Sequence, residues 1–355
     1  MAKKTSGSRA KSEPALGYSE AIRRLRQEGP EQLYLLWGPE DYLREAFLTR
    51  LKAVCLPEGE DSFSFRRFNG PTVDPVDLRT AVDAMPFLTE RSFVELRDLD
   101  LNGMGDGEAF LDAIHDIPDY CTVVILLQTA AEPDGRLKLI KALRDLAVEV
   151  KFSVQPRDKL TTWVVGHFTD AGKSIDLEAA QHLLFVSGEL MSRLLPEIEK
   201  IAAYAKGPKV TIQDVDAVAA HIPEADVFAM TDFIAHRKFD SALGVLSDLL
   251  ADKKNEPMYL LALLSGQIRR LYTARIIIDQ GQGVQKIMEF FKWRSDYPAR
   301  KLYQAAQGYS LEQLRQAVLI CVDAEYRAKS GGGEDRALLI EAVTRIAAGE
   351  LNEKA

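Results

Sequence analysis

Leu33-Tyr34-Leu35-Leu36-Trp37 is an unbroken apolar run that stops at Gly38. A run without polar alternation marks a strand covered on both faces, and such strands belong to parallel sheets flanked by helices. Leu43, Phe47, Leu48 and Leu51 follow at three- and four-residue spacing, which predicts an amphipathic helix. Phe63-Ser64-Phe65, Phe93-Val94-Glu95-Leu96 and Thr122 to Leu127 predict further strands. Val148, Val150, Phe152 and Val154 alternate with polar residues and predict a fifth, while Thr80 to Met85 closes a second helix before Pro86. Strands alternating with helices imply an α/β domain, here with a five-stranded parallel sheet over residues 17–155.

After Pro156 the strand signal ends, and helical segments follow, broken at Gly172, Gly188 and Gly207-Pro208. Thr211 is placed to cap a helix over Ile212-Gln213-Asp214-Val215. Met258, Leu261, Leu264, Ile268 and Leu271 form one apolar stripe, and Leu311, Leu314, Val318 and Cys321 another. The last helix carries Leu339, Val343 and Ile346 behind Asp335 as its expected cap, after a flexible turn at Ser330-Gly331-Gly332-Gly333. The 355 residues therefore divide into a basic, Ser-rich tail expected to be disordered (1–16), the α/β domain (17–155), a small helical domain (156–222) and a larger all-α domain (223–355). No apolar run approaches the roughly 20 residues of a membrane helix. The three cysteines, Cys55, Cys121 and Cys321, are far apart and odd in number, which argues against a disulfide framework and for a cytoplasmic setting. A net charge of −8 argues against a surface that coats nucleic acid broadly, and leaves room for a local basic patch.

A strand that ends in glycine and leads into a helix is the setting of a phosphate-binding loop. That loop needs a second glycine five residues on, then Lys and then Ser or Thr, so that backbone N–H groups wrap the phosphates and a hydroxyl holds magnesium. Counted from Gly38, those places hold Leu43, Arg44 and Glu45. Leu43 blocks close backbone approach, Arg44 restores charge but not loop shape, and Glu45 sets a negative charge where a triphosphate or metal-bound hydroxyl belongs. The acid pair that would hold the metal is missing too. Glu95-Leu96-Arg97-Asp98 interposes an Arg and reads as charges at the surface edge of a strand, and the Thr122–Leu127 run ends in Gln128-Thr129. His115, His167, His182, His221 and His236 have no metal-ligand spacing, and no nucleophile motif occurs, so no catalytic residue, metal or cofactor is expected.

Two features remain. In Met85-Pro86-Phe87-Leu88-Thr89-Glu90-Arg91 a proline ends a helix and two large apolar residues precede a polar turn. They either fold back onto the sheet or present an apolar plug to a partner's pocket. Arg269, Arg270 and Arg275 share one helix with Tyr272, ahead of Lys286, Lys292, Arg294, Arg300 and Lys301. A solvated face is the commoner role of such a cluster, and a DNA-facing surface is the alternative.

Taken in order, these segments resemble the delta subunit of the bacterial DNA polymerase III clamp loader, a degenerate AAA+ family. The resemblance runs from about Leu33 to Ala348. It begins with Tyr34-Leu35-Leu36-Trp37-Gly38-Pro39-Glu40-Asp41-Tyr42-Leu43, similar to the family's strand-Gly-Glu-x-x-Leu opening, and continues through Pro86 to Val94. Gly188-Glu189-Leu190 with Glu197-Ile198-Glu199-Lys200-Ile201, then Val210 to Val215 and Val227 to Asp232, carry it through the middle. Leu261 to Leu271 and the Asp323 to Gly331 stretch, like the family's Asp-x-x-x-Lys-x-Gly ending, complete it.

The resemblance implies a degenerate AAA+ domain, a helical lid and a helical collar. It implies a subunit that binds the sliding clamp (beta), helps open it for loading onto primed DNA, and is no ATPase by itself within a holoenzyme classed as a nucleotidyltransferase. The implied partners are the ATPase subunits (gamma/tau), delta-prime and, through the complex, primer-template DNA. By position, Phe87 and Leu88 are the implied clamp-binding pair, with Met85 and Pro86 beside them because the register can slip by one residue. Arg269, Arg270 and Arg275 are the candidates for facing DNA. Two other readings stay open: an active AAA+ ATPase with an atypical phosphate loop, and a stand-alone helical DNA-binding protein.

Overall fold

The computed structural model describes residues 14–57, 59, 63–87, 89–101, 103–104, 107–127 and 132–349. The expected disordered tail falls almost wholly outside them. The chain divides into two compact units, Met1–Val154 with Leu190–Ser192, and Gln155–Glu189 with Arg193–Ala355.

In the first unit β1 (Leu16–Gly17), α1 (Tyr18–Glu28), β2 (Leu33–Trp37), α2 (Asp41–Cys55), β3 (Phe65–Asn69) and α3 (Pro75–Asp83) lead into β4 (Ser92–Leu99), α4 (Gly107–Ile114), β5 (Cys121–Leu127), α5 (Lys138–Leu146) and β6 (Val148–Lys151). The six strands lie in the order β1-β6-β2-β5-β4-β3, and each pairing is parallel. The expected sheet had five strands. The sixth is β1, where Leu16 and Gly17 pair with Val150 and Lys151, and a pair of residues carries no periodicity to read. It also brings Leu16, expected at the end of the tail, into the sheet. Central β2 and β5 are buried along their whole length, the physical source of their continuous apolar runs.

Alternation sends Leu33, Leu35 and Trp37 to one face, where they share a core with Leu78, Val82, Phe110, Ile140 and Leu143 from the helices. Tyr34 points to the other face and meets Phe47 of α2 edge-on at 5.7 Å. α3 starts cleanly because the Asp74 carboxylate accepts from the Val76 N–H at 2.8 Å and Pro75 opens the helix. It ends at Asp83, leaving Met85–Phe87 as loop. β3 begins at Phe65, so Phe63 and Ser64 lie in the turn before it rather than in the expected strand.

The remaining elements are α6 (Arg157–Asp170), β7 (Ser174–Ile175), α7 (Leu177–Ser187), α8 (Met191–Tyr204), β8 (Lys209–Val210), α9 (Ile212–Val218) and α10 (Pro223–Ala235). They are followed by α11 (Phe239–Ala251), α12 (Pro257–Asp279), α13 (Val284–Phe291), α14 (Asp296–Gln307), α15 (Leu311–Lys329) and α16 (Asp335–Ala348). β7 and β8 form a two-stranded ladder that the expectation of helices alone did not include, again too short to carry a pattern. Thr211 caps α9 in a reciprocal capping box with Asp214. Asp335 is the first helical residue of α16 rather than its cap, which is Glu334. The stripe of α12 forms the centre of the helical core with Leu314, Cys321, Leu339 and Val343, while Leu311 stays exposed at the start of α15. The three cysteines are buried and unpaired. No described helix is long and apolar enough to cross a membrane.

Gly38 joins β2 to α2 with φ of 125°, and a Cβ there would meet the Phe152 carbonyl oxygen at 2.4 Å. Gly38→Ala is expected to lower stability by about 2–4 kcal/mol through strain and displaced backbone. Urea unfolding of the variant checks this, and a midpoint equal to the wild type would show that the close approach is not required.

Candidate functional site

The loop after β2 is where a nucleotide would sit, and its backbone is already engaged. The Phe152 N–H donates to the Trp37 carbonyl at 2.8 Å, and the Glu40 N–H donates to the Phe152 carbonyl at 3.1 Å. The end of β6 thus lies against the loop and uses an amide that a phosphate would need. The Glu40 side chain has no exposed surface, and its Oε2 accepts from the Met191 N–H at 3.2 Å. Burial pushes the Glu40 carboxyl above its ordinary range, partly offset by the backbone amides of Met191, Ser192 and Tyr42. A carboxylate of the chain itself is therefore the acceptor for amides at this loop.

The three degenerate positions are occupied in three different ways. Leu43 is buried. Arg44 turns back along α2 to Asp41 at 2.7 Å. Glu45 receives a two-pronged contact from Arg97, at 2.8 and 2.9 Å. Arg97 lies on β4, on the stretch where a metal-holding acid would be sought, so an Arg–Glu pair joins the two places that magnesium would bridge. Arg97 also contacts Glu95, which has no exposed surface and lies 2.5 Å from Lys52 of α2 and 3.4 Å from Arg67 of β3. The expectation of surface-edge charges is corrected for Glu95, while Arg97 is half-buried and Asp98 exposed. Glu95 is the buried centre of a charge cluster, and besides Arg97 on its own strand its partners Lys52 and Arg67 come from other elements, which a single strand's sequence cannot display.

Burial by itself pushes the Glu45 carboxyl up, but the hydrogen bonds and charge of Arg97 outweigh it and hold Glu45 below its usual value. The same contact with Glu45, helped by Glu95 against the opposing effect of burial, raises Arg97 above its ordinary value. Gln128 and Thr129, at the end of β5, lie outside the described residues. Among the described residues no cluster of His, Cys, Asp or Glu could hold a metal ion.

The loop after α3 is the opposite kind of surface. Met85 is 80% and Phe87 58% exposed, with Pro86 half-buried between them. Leu88 lies outside the described residues. Phe63, from the turn before β3, is 77% exposed and meets the Phe87 ring edge-on at 6.0 Å. Sequence reasoning missed Phe63 because Phe-x-Phe alternation reads as strand. Since the strands are parallel, this loop precedes β4 at the amino ends of the strands, whereas the Gly38 loop lies at their carboxyl ends. A strand length, roughly 17–25 Å, separates the two.

The three arginines of α12 leave the helix in different directions, because each residue advances it by about 100°. Arg269 approaches Glu325 at 3.8 Å and Arg275 pairs with Asp279 at 2.6 Å. Arg270 instead lines a cavity of about 520 Å³ in the helical unit, with Arg157, Gln267, Lys292, Trp293 and Arg294 also on its wall. Burial pushes the Arg270 guanidinium below its ordinary value, against the raising effect of Glu224. Gln267 is buried, its Oε1 accepts from Arg270 Nε at 3.1 Å, and its Nε2 has no hydrogen-bond partner.

Comparison with known proteins follows the same division. Residues 34–153 match the family model of the DNA polymerase III delta subunit, and residues 224–345 match that of its C-terminal domain. DNA polymerase III subunit delta of Bacillus subtilis (strain 168) is 26% identical over 318 residues, covering 87% of this chain and 90% of the relative. The probable DNA polymerase III subunit delta of Aquifex aeolicus (strain VF5) is 23% identical over 302 residues, covering 81% of this chain and 83% of the relative. Among solved structures, the Bacillus subtilis DNA clamp loader delta protein (YqeN) matches with a TM-score of 0.45 and 23% identity, over 93% of this chain and 99% of that one.

Arg97→Ala would leave Glu45 and the buried Glu95 short of a cation, at an expected cost of about 2–4 kcal/mol for a pair that is partly exposed. Because the Glu45 carboxyl is lowered in the folded chain, its contribution is present above its unfolded pKa and is lost as pH falls through the lower folded value. Denaturant unfolding of wild type and variant should therefore differ most at neutral pH and converge as the pH drops below the ordinary carboxylate range.

Proposed function

Since the chain belongs to the DNA polymerase III delta subunit family, we propose that it is the non-hydrolysing subunit of a clamp loader that grips the sliding clamp and helps open it for loading onto primed DNA. The observation that carries the reading is Phe87. A large aromatic side chain, more than half exposed, stands on the loop between α3 and β4, near an exposed Met85. Two such side chains buried in a pocket contribute on the order of 3–6 kcal/mol before ordering costs. That is enough to shift a ring between closed and open forms, provided the open form binds the loop better.

Under this proposal Phe87 and Leu88 enter the clamp's pocket, with Met85 and Pro86 at its rim. Residues 17–155 serve as the degenerate AAA+ domain, 156–222 as the lid and 223–355 as the collar that meets the gamma/tau ATPase subunits and delta-prime. The protein works in the cytoplasm, with the replication machinery. Of the arginines, Arg270 is the one that shares a cavity with further basic side chains, Arg157, Lys292 and Arg294, and an aromatic ring. Glu189, paired to Arg157, and Glu224 share that cavity, while Arg269 and Arg275 are near Glu325 and Asp279, so acidic groups lie near all three arginines.

The reading of the protein as an active ATPase is disfavoured by the Glu45–Arg97 pair and the engaged Gly38 loop, which supports the view that sister subunits supply hydrolysis.

The double variant Phe87→Ala, Leu88→Ala should weaken clamp binding by about 10²–10⁴-fold with the circular dichroism spectrum unchanged. Binding of its own cell's clamp at wild-type affinity in surface plasmon resonance would refute the assignment. In isothermal titration of the isolated chain, ATP with magnesium should give no saturable heat, and micromolar binding would restore the ATPase reading.

A further inference from the structure

Ser64 is buried, although both neighbours in the sequence are phenylalanines and the turn it occupies is at the surface. Its backbone carbonyl accepts from the Phe93 N–H at 2.8 Å, which ties it to the start of β4. Its hydroxyl reaches the other way, into the apolar loop. The Phe87 N–H donates to Ser64 Oγ at 2.9 Å, Thr89 Oγ1 donates to it at 2.6 Å, and Ser64 Oγ lies 3.2 Å from the Phe87 carbonyl oxygen. Thr89 Oγ1 is also 2.9 Å from the Arg91 carbonyl oxygen. One hydroxyl therefore engages both polar backbone groups of Phe87, whose ring is exposed on the loop. An exposed loop has no helix or ladder to hold its backbone, so these bonds set its shape.

Phe63, the next residue back, lies in the same turn. Its ring stands edge-on to that of Phe87 with 6.0 Å between centroids, in the T-shaped arrangement aromatic pairs favour. A pocket deep enough to take Phe87 meets Phe63 at its lip, because the two rings form one continuous surface.

We infer that Phe63 and Ser64 complete the clamp-binding element from a separate stretch of chain: Ser64 is the positioning residue that holds Phe87 in its presenting shape, and Phe63 is a second aromatic contact for the clamp. This deepens the clamp-binding reading above and rests on it. The two residues act in different ways, and kinetics separates them. Losing the Ser64 hydroxyl lets the loop sample shapes that cannot bind, so the competent fraction falls and with it the association rate. Losing the Phe63 ring removes contact surface from the formed complex, so dissociation quickens.

The experiment measures clamp association and dissociation by surface plasmon resonance for the full chain and for Ser64→Ala, Phe63→Ala and Phe87→Ala. Ser64→Ala is expected to bind about tenfold more weakly, chiefly through association, as the loss of its net hydrogen bonding implies. Hydrogen exchange at the Phe87 amide should rise in this variant while the amides of β2 and β5 keep their protection, which a general loss of stability would not produce. Phe63→Ala, at a surface position, is expected to bind roughly three- to tenfold more weakly through faster dissociation. If Phe87→Ala loses binding but Ser64→Ala and Phe63→Ala stay within about twofold of the wild type, the inference is wrong and the clamp-binding site stands. Wild-type binding by Phe87→Ala would overturn both.

Discussion

A carboxylate with no exposed surface, Glu95, stands on β4, next to the edge strand of the parallel sheet, and three cations gather around it. An uncompensated buried charge costs several kcal/mol, so cations must reach it, and two of the three come from other elements. Lys52 comes from α2, Arg67 from the edge strand β3 and Arg97 from two residues along β4. Arg97 in turn draws Glu45 inward. The cluster thereby pins α2 to the sheet along the line where a phosphate loop and a metal-binding acid would face each other. A domain built for a nucleotide keeps that line open for an anion and a divalent cation. Here the same space is bridged by fixed charges of opposite sign, and Glu40 supplies an internal acceptor beside it.

That arrangement has a consequence for how the two ends of the sheet divide their work. The carboxyl ends of the strands, the ordinary ligand-binding end of a parallel α/β sheet, are closed by contacts between β6 and the Gly38 loop. The amino ends carry the exposed aromatic pair Phe63 and Phe87. Both loops depend on one backbone joint each. At Gly38 only a residue without Cβ lets Phe152 come close. At Ser64 a single hydroxyl holds the backbone of Phe87 in the exposed loop.

Much of this was legible from residues alone. The continuous apolar runs of β2 and β5, the three- and four-residue spacing of α2 and α12, and the Thr211 cap are local patterns, and local patterns follow from local sterics and burial. Leu43, Arg44 and Glu45 are likewise readable, because a phosphate loop demands particular residue types at fixed offsets. The misread features are those with too few residues to carry a period, such as the two-residue strands β1, β7 and β8, or those whose meaning depends on a distant partner. Glu95 looks like an edge charge until Lys52 and Arg67 are set beside it. Arg269, Arg270 and Arg275 look like one group until the helix turns them in three directions.

The sequence by itself determined the α/β-then-helical layout, the absence of the phosphate-loop residue types and the apolar character of Met85–Phe87, because each is a property of neighbours along the chain. Only the tertiary structure decided that Glu45 has a cation to hold, that Glu95 is buried, and that Phe63 and Ser64 belong with Phe87. The reason is distance along the chain. Glu45 and Arg97 are 52 residues apart, Ser64 and Phe87 are 23 apart, and no local rule links a serine in one turn to the backbone of another.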